Sequence, residues 1–328
     1  MKNWRTLILL ALLTLVACDG ATANQPPPTA LPPAAPTASP YPFPTSVPLP
    51  TLATDPQRAG DYEQQFSYGG LTRTYILHLP PQIKAGKPLP LILLLPGYVS
   101  SARIFRGASG MVGRADEQGI ILAYLDGSGP DPGWNAGFCC GSAVTNKVDD
   151  VGYVSKLIAD LEQRYQVDDR RLFVVGHSNG AMLAYRLARE IPEQIAAVVS
   201  FSGAMQAGAA MPSQPVAVME VHGERDPVIL YQGGTVFGNR YQAEPDTVAY
   251  WVKANNCKPE PQRADNAGST KESYGGCEGG TAVVSYSLKQ GGHEIPGTAA
   301  ILGLAGREVG DVDVDTLILN FLNAHPKR

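Results

Sequence analysis

The chain has 328 residues, of which 44% are hydrophobic and 17% charged: enough apolar material for a large core, and too much for wholesale disorder. Its net charge of −4 at pH 7 offers no basic surface to neutralise phosphates, which excludes nucleic acid as the expected partner. Length admits one large domain or two ordinary ones, and the prolines give the first sign of organisation, because twelve of the 28 fall between Pro26 and Pro56.

Lys2 and Arg5 precede an apolar run from Leu7 to Ala17, too short for the ~20 residues of a membrane-spanning helix. The run closes on Leu15-Val16-Ala17-Cys18, which resembles the lipobox of bacterial lipoproteins. That resemblance implies cleavage before Cys18, lipidation of Cys18 and attachment to the outer face of the cytoplasmic membrane. The plainer alternative is a secretory signal followed by a chance cysteine. Each buried CH₂ of a lipid chain contributes ~0.8 kcal/mol, so two or three chains make a stable anchor. From Ala21 to about Pro56 the chain is Pro, Ala, Thr and Ser with almost no charge, a composition that buries no core and favours extended polyproline conformations. The expected plan is a signal peptide over 1–17, an anchor and Pro-rich linker over 18–60, and one folded domain over 61–328.

Within that domain, Leu71 to Leu79 reads as an opening strand. Leu89 to Leu95 is a continuous apolar run, as a strand covered on both faces requires, and Ile120–Leu125, Arg171–Gly176, Ile195–Phe201 and Val216–Val221 read alike. Val151 to Tyr165 carries apolar residues at helical spacing; Asn179 to Arg189 and Val314 to Leu322 are further helices. Strands alternating with helices predict an α/β fold with a mostly parallel sheet covered on both faces.

The strand ending in Val174-Val175 runs into Gly176-His177-Ser178-Asn179-Gly180, and a helix follows at once. Gly-X-Ser-X-Gly between a strand and a helix is the setting of a nucleophilic serine: the glycines let the backbone turn sharply, and the helix N-terminus faces developing negative charge. In the α/β-hydrolase order an acid and then a histidine follow the serine. His78 and His177 come at or before the elbow, His222 precedes the acid, and His325 sits at the chain's end. His293, in the loop Gln290-Gly291-Gly292-His293-Glu294 after the strand Ala282–Leu288, is therefore the expected base. Asp226, just beyond the strand ending at Val221, is the expected acid, to fix the tautomer of the base and stabilise its imidazolium; Glu224 competes with it and Asp246 is a remoter choice. The oxyanion hole needs two backbone N–H donors. Asn179 should supply one, and the loop Pro96-Gly97-Tyr98-Val99-Ser100 the other, through Tyr98.

With these pieces in place the chain resembles the polyhydroxybutyrate-depolymerase and feruloyl-esterase family of α/β-hydrolases, which includes the LpqC-type lipoproteins. The resemblance is carried by Trp134-Asn135-Ala136-Gly137-Phe138-Cys139-Cys140-Gly141, Val148-Asp149-Asp150-Val151-Gly152-Tyr153, the Ser178 pentapeptide, His222-Gly223-Glu224-Arg225-Asp226-Pro227-Val228 and Gly291-Gly292-His293. It implies a serine esterase acting on hydroxyalkanoate, feruloyl or acetyl esters, and makes Trp134 a candidate to line the cleft, with a core tryptophan as the equal alternative. Two positions depart from the pattern: Ile295 stands where the family often has tryptophan, and Pro96 where histidine is usual in the oxyanion loop. Both are expected to touch the substrate cleft. The pair Asp149-Asp150 reads as an N-cap of the following helix.

Setting Cys18 aside leaves four of the 5 cysteines, an even number in an exported chain. Pairing Cys257 with Cys277 would staple the polar, Gly-rich loop Lys258 to Gly276, contributing ~3 kcal/mol in the chain-entropy view. Cys139 and Cys140 would then form a vicinal disulfide or stay as thiols, and cross-pairing is open. The spacings do not suit zinc, and no metal or cofactor is expected. The rival readings are a serine peptidase using the same triad and a surface-tethered binding module that kept the fold without activity.

Overall fold

The computed structural model describes residues 57–295, 308–309 and 312–328. The signal-like run, Cys18 and the Pro-rich linker lie outside the described residues.

The chain opens on a hairpin of β1 (Gly60–Tyr68) and β2 (Leu71–Leu79), followed by β3 (Leu89–Leu95). Two short helices, α1 (Ala102–Ala108) and α2 (Met111–Gln118), lead to β4 (Ile121–Leu125). Next come α3 (Gly141–Thr145), α4 (Asp150–Arg164), β5 (Val167–His177), α5 (Asn179–Glu190), β6 (Ala197–Phe201) and β7 (Ala217–Gly223). A small ribbon, β8 (Gly234–Val236) and β9 (Asn239–Tyr241), precedes α6 (Glu244–Ala254). The hairpin of β10 (Gln262–Asp265) and β11 (Ser269–Tyr274) leads to β12 (Val283–Leu288), and the two-residue strands β13 (Glu308–Val309) and β14 (Val312–Asp313) lead to α7 (Val314–Ala324).

Ten of these strands form one sheet in the order β1-β2-β4-β3-β5-β6-β7-β12-β11-β10. The six strands from β4 to β12 pair in parallel, while the two strands at each edge are antiparallel. The expected mostly parallel sheet is thus present. Alternation along the strands builds a core on each face: Leu91, Leu93, Leu95, Leu172 and Val174 pack with Leu157 and Leu161 of α4, Leu187 of α5 and Trp251 of α6. Ile92, Leu94, Phe173 and Val175 face the other way, onto Phe105 of α1, Met111 of α2 and Ile318 and Leu322 of α7.

The structure adds α1, α2, α3, α6 and the β8–β9 ribbon to the elements read from the sequence, and differs from that reading elsewhere. β1 precedes the expected opening strand, and β5 begins at Val167, four residues early. The stretch read as a polar loop between Cys257 and Cys277 is the β10–β11 hairpin. β10 is exposed at every position, so it lies at the sheet's edge and carries no apolar stripe that periodicity can detect.

Strand order reverses between β3 and β5: the chain leaves β3 toward β4 on one side and returns to β5 on the other. In open α/β sheets the crevice at the carboxyl ends of such strands is where ligands bind. Leu95 is paired with Gly176 across these two strands, so the loops that follow begin side by side. Close approach there depends on glycine. A Cβ on Gly180 would lie 2.1 Å from the Leu95 carbonyl oxygen, and one on Gly176 would lie 2.5 Å from the Gly180 carbonyl oxygen. Gly180→Ala is therefore expected to push α5 off β3 at a cost of about 3 kcal/mol, read as a drop in the thermal midpoint by circular dichroism; an unchanged midpoint would contradict this packing.

Candidate active site

Ser178 ends the turn between β5 and α5 with φ 52° and ψ −119°, a left-handed conformation that costs an L-residue energy and persists only when its surroundings enforce it. Two bonds do so: its N–H donates to the Phe201 carbonyl at 2.8 Å, and its carbonyl accepts from Met182 at 2.9 Å. The turn presents Oγ 2.9 Å from His293 Nε2, while His293 Nδ1 lies 2.8 Å from Asp226 Oδ2. Asp226 Oδ1 accepts the Val228 and Ile229 N–H groups, each at 2.8 Å. Burial alone would raise the Asp226 pKa, but hydrogen bonds from His222, His293 and the backbone outweigh it and hold the carboxyl well below the usual carboxylate range. An ionised Asp226 takes the Nδ1 proton of His293 as a hydrogen bond and leaves the Nε2 lone pair facing the serine hydroxyl. The structure thus brings Ser178, Asp226 and His293 together from three loops. Glu224, the competing carboxylate, is exposed, as is Asp246 in the first turn of α6.

Sequence reasoning passed over His177. Its ring donates from Nε2 to the His293 backbone carbonyl at 2.7 Å and lies against the His293 ring, with centroids 5.1 Å apart. Burial, and then the neighbouring His293, lower its pKa to about 4, so it props the base loop as a neutral ring.

Tyr98 lies three residues beyond Leu95, as Asn179 lies three beyond Gly176, its partner across the sheet. The loop that carries Tyr98 is fixed by Val99 N–H to the Pro132 carbonyl at 2.7 Å and by Trp134 Nε1–H to the Pro96 carbonyl at 2.9 Å. A Cβ on Gly97 would lie 3.3 Å from Ser178 Cβ, which measures how closely this loop passes the hydroxyl. The Tyr98 phenol donates to Asp131 Oδ2 at 2.6 Å. Hydrogen bonds from Ser142, then Tyr98, pull the Asp131 pKa down to about 2. Asn179 opens α5, where the first N–H groups of a helix have no intrahelical partner. Its amide accepts from Trp134 N at 2.7 Å and donates to the Trp134 carbonyl at 3.0 Å.

Several expectations need correction. Of the two readings of Trp134, the structure gives the core one: it is fully buried, and its indole donates to the Pro96 carbonyl. Ile295 is buried in the core with Val314 and Ile318 of α7 rather than in the cleft. Pro96 accepts the Trp134 indole N–H through its carbonyl. The Asp149-Asp150 pair divides its work. Asp149 caps α4 by accepting from Gly152 N at 2.9 Å, whereas Asp150 is buried and ion-paired with Arg73 at 2.7 Å, where it also accepts from Asn135 N. Among the described cysteines, Cys257 and Cys277 lie at pairing distance, as do the adjacent Cys139 and Cys140. The first pair closes the base of the β10–β11 hairpin. The second lies in the loop whose Cys139 carbonyl accepts from the Asn179 amide at 3.3 Å. Around the site, Val99, Val228 and Phe237 are exposed, and the Phe237 ring meets the Tyr98 ring edge-on at 5.4 Å.

Behind the acid lies a buried carboxyl, Glu244. Burial, and then the nearby Glu220, raise its pKa from the usual 4.5 to about 7. The folded chain therefore keeps a proton that the unfolded chain releases above pH 4.5, and stability falls as pH rises from there through about 7. Glu244→Gln removes that dependence. It is expected to match the wild type near pH 5 and to exceed it by roughly 2–3 kcal/mol at pH 8, measured by urea unfolding at both pH values; a constant difference would contradict this.

A sequence model of the Phospholipase/Carboxylesterase family matches residues 145–248. Over 343 aligned positions the chain is 30% identical to NocK of Nocardia uniformis subsp. tsuyamanensis, named as an esterase, with 95% of this chain and 97% of NocK aligned. The chain belongs to this family of α/β-hydrolase esterases. It is a carboxylic ester hydrolase, and its relatives extend to feruloyl esterase B of Piromyces equi, 28% identical over 233 residues, a match covering 67% of this esterase and 42% of that longer protein. A solved acetyl xylan esterase from Aspergillus awamori shares the esterase's fold with a TM-score of 0.58 at 13% identity, covering 80% of this chain and 99% of its own.

Proposed function

We propose that the protein is an exported, lipid-anchored serine esterase that removes feruloyl or acetyl groups from plant polysaccharide, or cleaves hydroxyalkanoate oligomers, through an acyl-enzyme on Ser178. The observation that carries the reading is the hydrogen-bonded series Ser178 Oγ, His293 Nε2, His293 Nδ1 and Asp226 Oδ2. In the reaction His293 takes the Ser178 proton while Oγ forms a bond to the ester carbonyl carbon. The tetrahedral oxyanion accepts hydrogen bonds from the Tyr98 and Asn179 backbone N–H groups, each worth ~10²–10³ in rate. The imidazolium, stabilised by Asp226, then gives its proton to the leaving alcohol as the C–O bond breaks. Water, deprotonated by the same histidine, hydrolyses the acyl-enzyme and restores Ser178.

The names of the relatives support an ester of plant polysaccharide, and the exposed Val99, Val228 and Phe237 suit an acyl group with an apolar face. Export and anchoring are supported by Lys2 and Arg5, the apolar run and Cys18. Residues 18–60 would hold the catalytic domain, from residue 61 onward, away from the bilayer. The test is a product assay on feruloylated xylan, acetylated xylan, hydroxybutyrate oligomers and a peptide library. Released acid from an ester is the expected result; peptide cleavage without ester cleavage would overturn the reading.

A further inference from the structure

Behind Asp226 runs a buried polar chain that the mechanism above leaves unused. Glu220 and His222 lie two residues apart on β7, so their side chains share one face of the sheet, and both are buried. His222 Nδ1 lies 3.2 Å from Glu220 Oε1; its Nε2 lies 2.8 Å from the Ile229 carbonyl and 3.4 Å from Asp226 Oδ2. The second Glu220 oxygen accepts from the Tyr185 hydroxyl of α5.

We infer that His222 is a positioning residue of the esterase: a doubly protonated imidazole that bridges Glu220 to Asp226 and, through Asp226, sets how readily His293 gives up its proton. The inference rests on the Ser178–His293–Asp226 reading and deepens it.

A neutral imidazole donates from one nitrogen and needs a donor at the other. Both nitrogens of His222 face acceptors, a carboxylate on one side and a carbonyl with a carboxylate on the other. A neutral ring would leave one buried lone pair aimed at an oxygen, which is costly; an imidazolium donates from Nδ1 to Glu220 and from Nε2 to the Ile229 carbonyl, with its charge beside Asp226 Oδ2. Burial opposes the charge, but hydrogen bonds to Asp226 and Glu220 outweigh it and push the His222 pKa up to about 10. The other groups facing it fit the same state. The Tyr231 ring stands edge-on at 5.8 Å, with its hydroxyl 2.7 Å from Ser287 Oγ of β12. Glu244 of α6, whose pKa is raised to about 7, is about half ionised at neutral pH, and the attraction between it and His222 favours the same state. Asp226 Oδ2 thus lies between two imidazoles, His293 at 2.8 Å and His222 at 3.4 Å. The cation beside it tempers the pull of Asp226 on the His293 proton, and removing that cation strengthens the pull.

His222→Gln removes the charge while keeping a side chain that can donate. In this variant the acid limb of the kcat/KM profile for p-nitrophenyl acetate is expected to move upward by about one pH unit, with cooperative thermal melting retained. A purely structural role would lower kcat/KM without moving the limb, so a folded variant with an unmoved limb overturns the inference. A second measurement needs no variant of His222: ring ¹⁵N spectra of the labelled wild-type protein at pH 7 to 8 are expected to show His222 with both nitrogens protonated, and a neutral tautomer there overturns the inference. Ser178→Ala, assayed in parallel, separates the two levels. Loss of activity in that variant with an unmoved limb in His222→Gln rejects the role of His222 and leaves the triad standing; activity retained in Ser178→Ala rejects the triad, and the inference with it.

Discussion

Alanine at position 178 is expected to lower kcat/KM for p-nitrophenyl acetate by about 10⁴–10⁶-fold, as loss of the nucleophile does in triad enzymes. The fold should survive the change. The backbone at this position sits at φ 52°, and alanine bears that conformation at the same cost as serine, so the strain and the hydrogen bonds that enforce it persist. On the proposed mechanism, residual hydrolysis should come from the backbone N–H groups of Tyr98 and Asn179, which would still bind a developing oxyanion without a nucleophile beneath it. The measurement is steady-state hydrolysis alongside thermal melting. An active, normally folded Ser178→Ala would show that another group carries the acyl transfer.

Asp226→Asn should cost about 10⁴-fold in kcat, and the geometry supplies the reason. Oδ1 accepts two backbone N–H groups, each at 2.8 Å, so an asparagine at this position turns its oxygen toward them. Its NH₂ then faces His293 Nδ1, where a proton has to be. The ring answers by moving its proton to Nε2, toward Ser178, and can no longer accept the serine proton. The same NH₂ also opposes His222 Nε2, at present 3.4 Å from Oδ2. Stability should follow pH in a defined way. The folded Asp226 carboxyl titrates well below its usual 3.8, so what its ionised form contributes is fully present above that value and fades as pH falls through the folded pKa. The variant is expected to be less stable than the wild type at pH 7, with the gap closing in acid. Equal stability at every pH, or kcat within tenfold of wild type, would contradict this role for Asp226.

The parts legible in the sequence share one physical property: each is written locally. An apolar run covered on both faces, broken by a glycine-flanked turn and followed by a helical period, places Ser178 at a strand end without any knowledge of its partners. Asp226 and His293 each follow an apolar strand in the same way, so the order of segments sufficed. The illegible parts depend on contacts between distant segments. Trp134 belongs to a motif, but only its bond to the Pro96 carbonyl, 38 residues away in sequence, shows that the ring braces the loop after β3. Ile295 follows the base by two residues, yet α7 covers it. Glu220 and His222 interrupt the apolar strand β7, and their alternation was a usable sign that both face one side; that this side meets Asp226 follows from the turn after Gly223. The β10–β11 hairpin leaves no periodic signal because β10, at the sheet's edge, needs no apolar face.

The most direct test is to treat the protein with a fluorophosphonate and locate the adduct by mass spectrometry. The expected result is one phosphonyl group per chain, on Ser178 within the tryptic peptide Leu172–Arg186, with loss of ester hydrolysis in proportion to labelling. Labelling at any other residue, or full hydrolysis after Ser178 is labelled, would contradict the account.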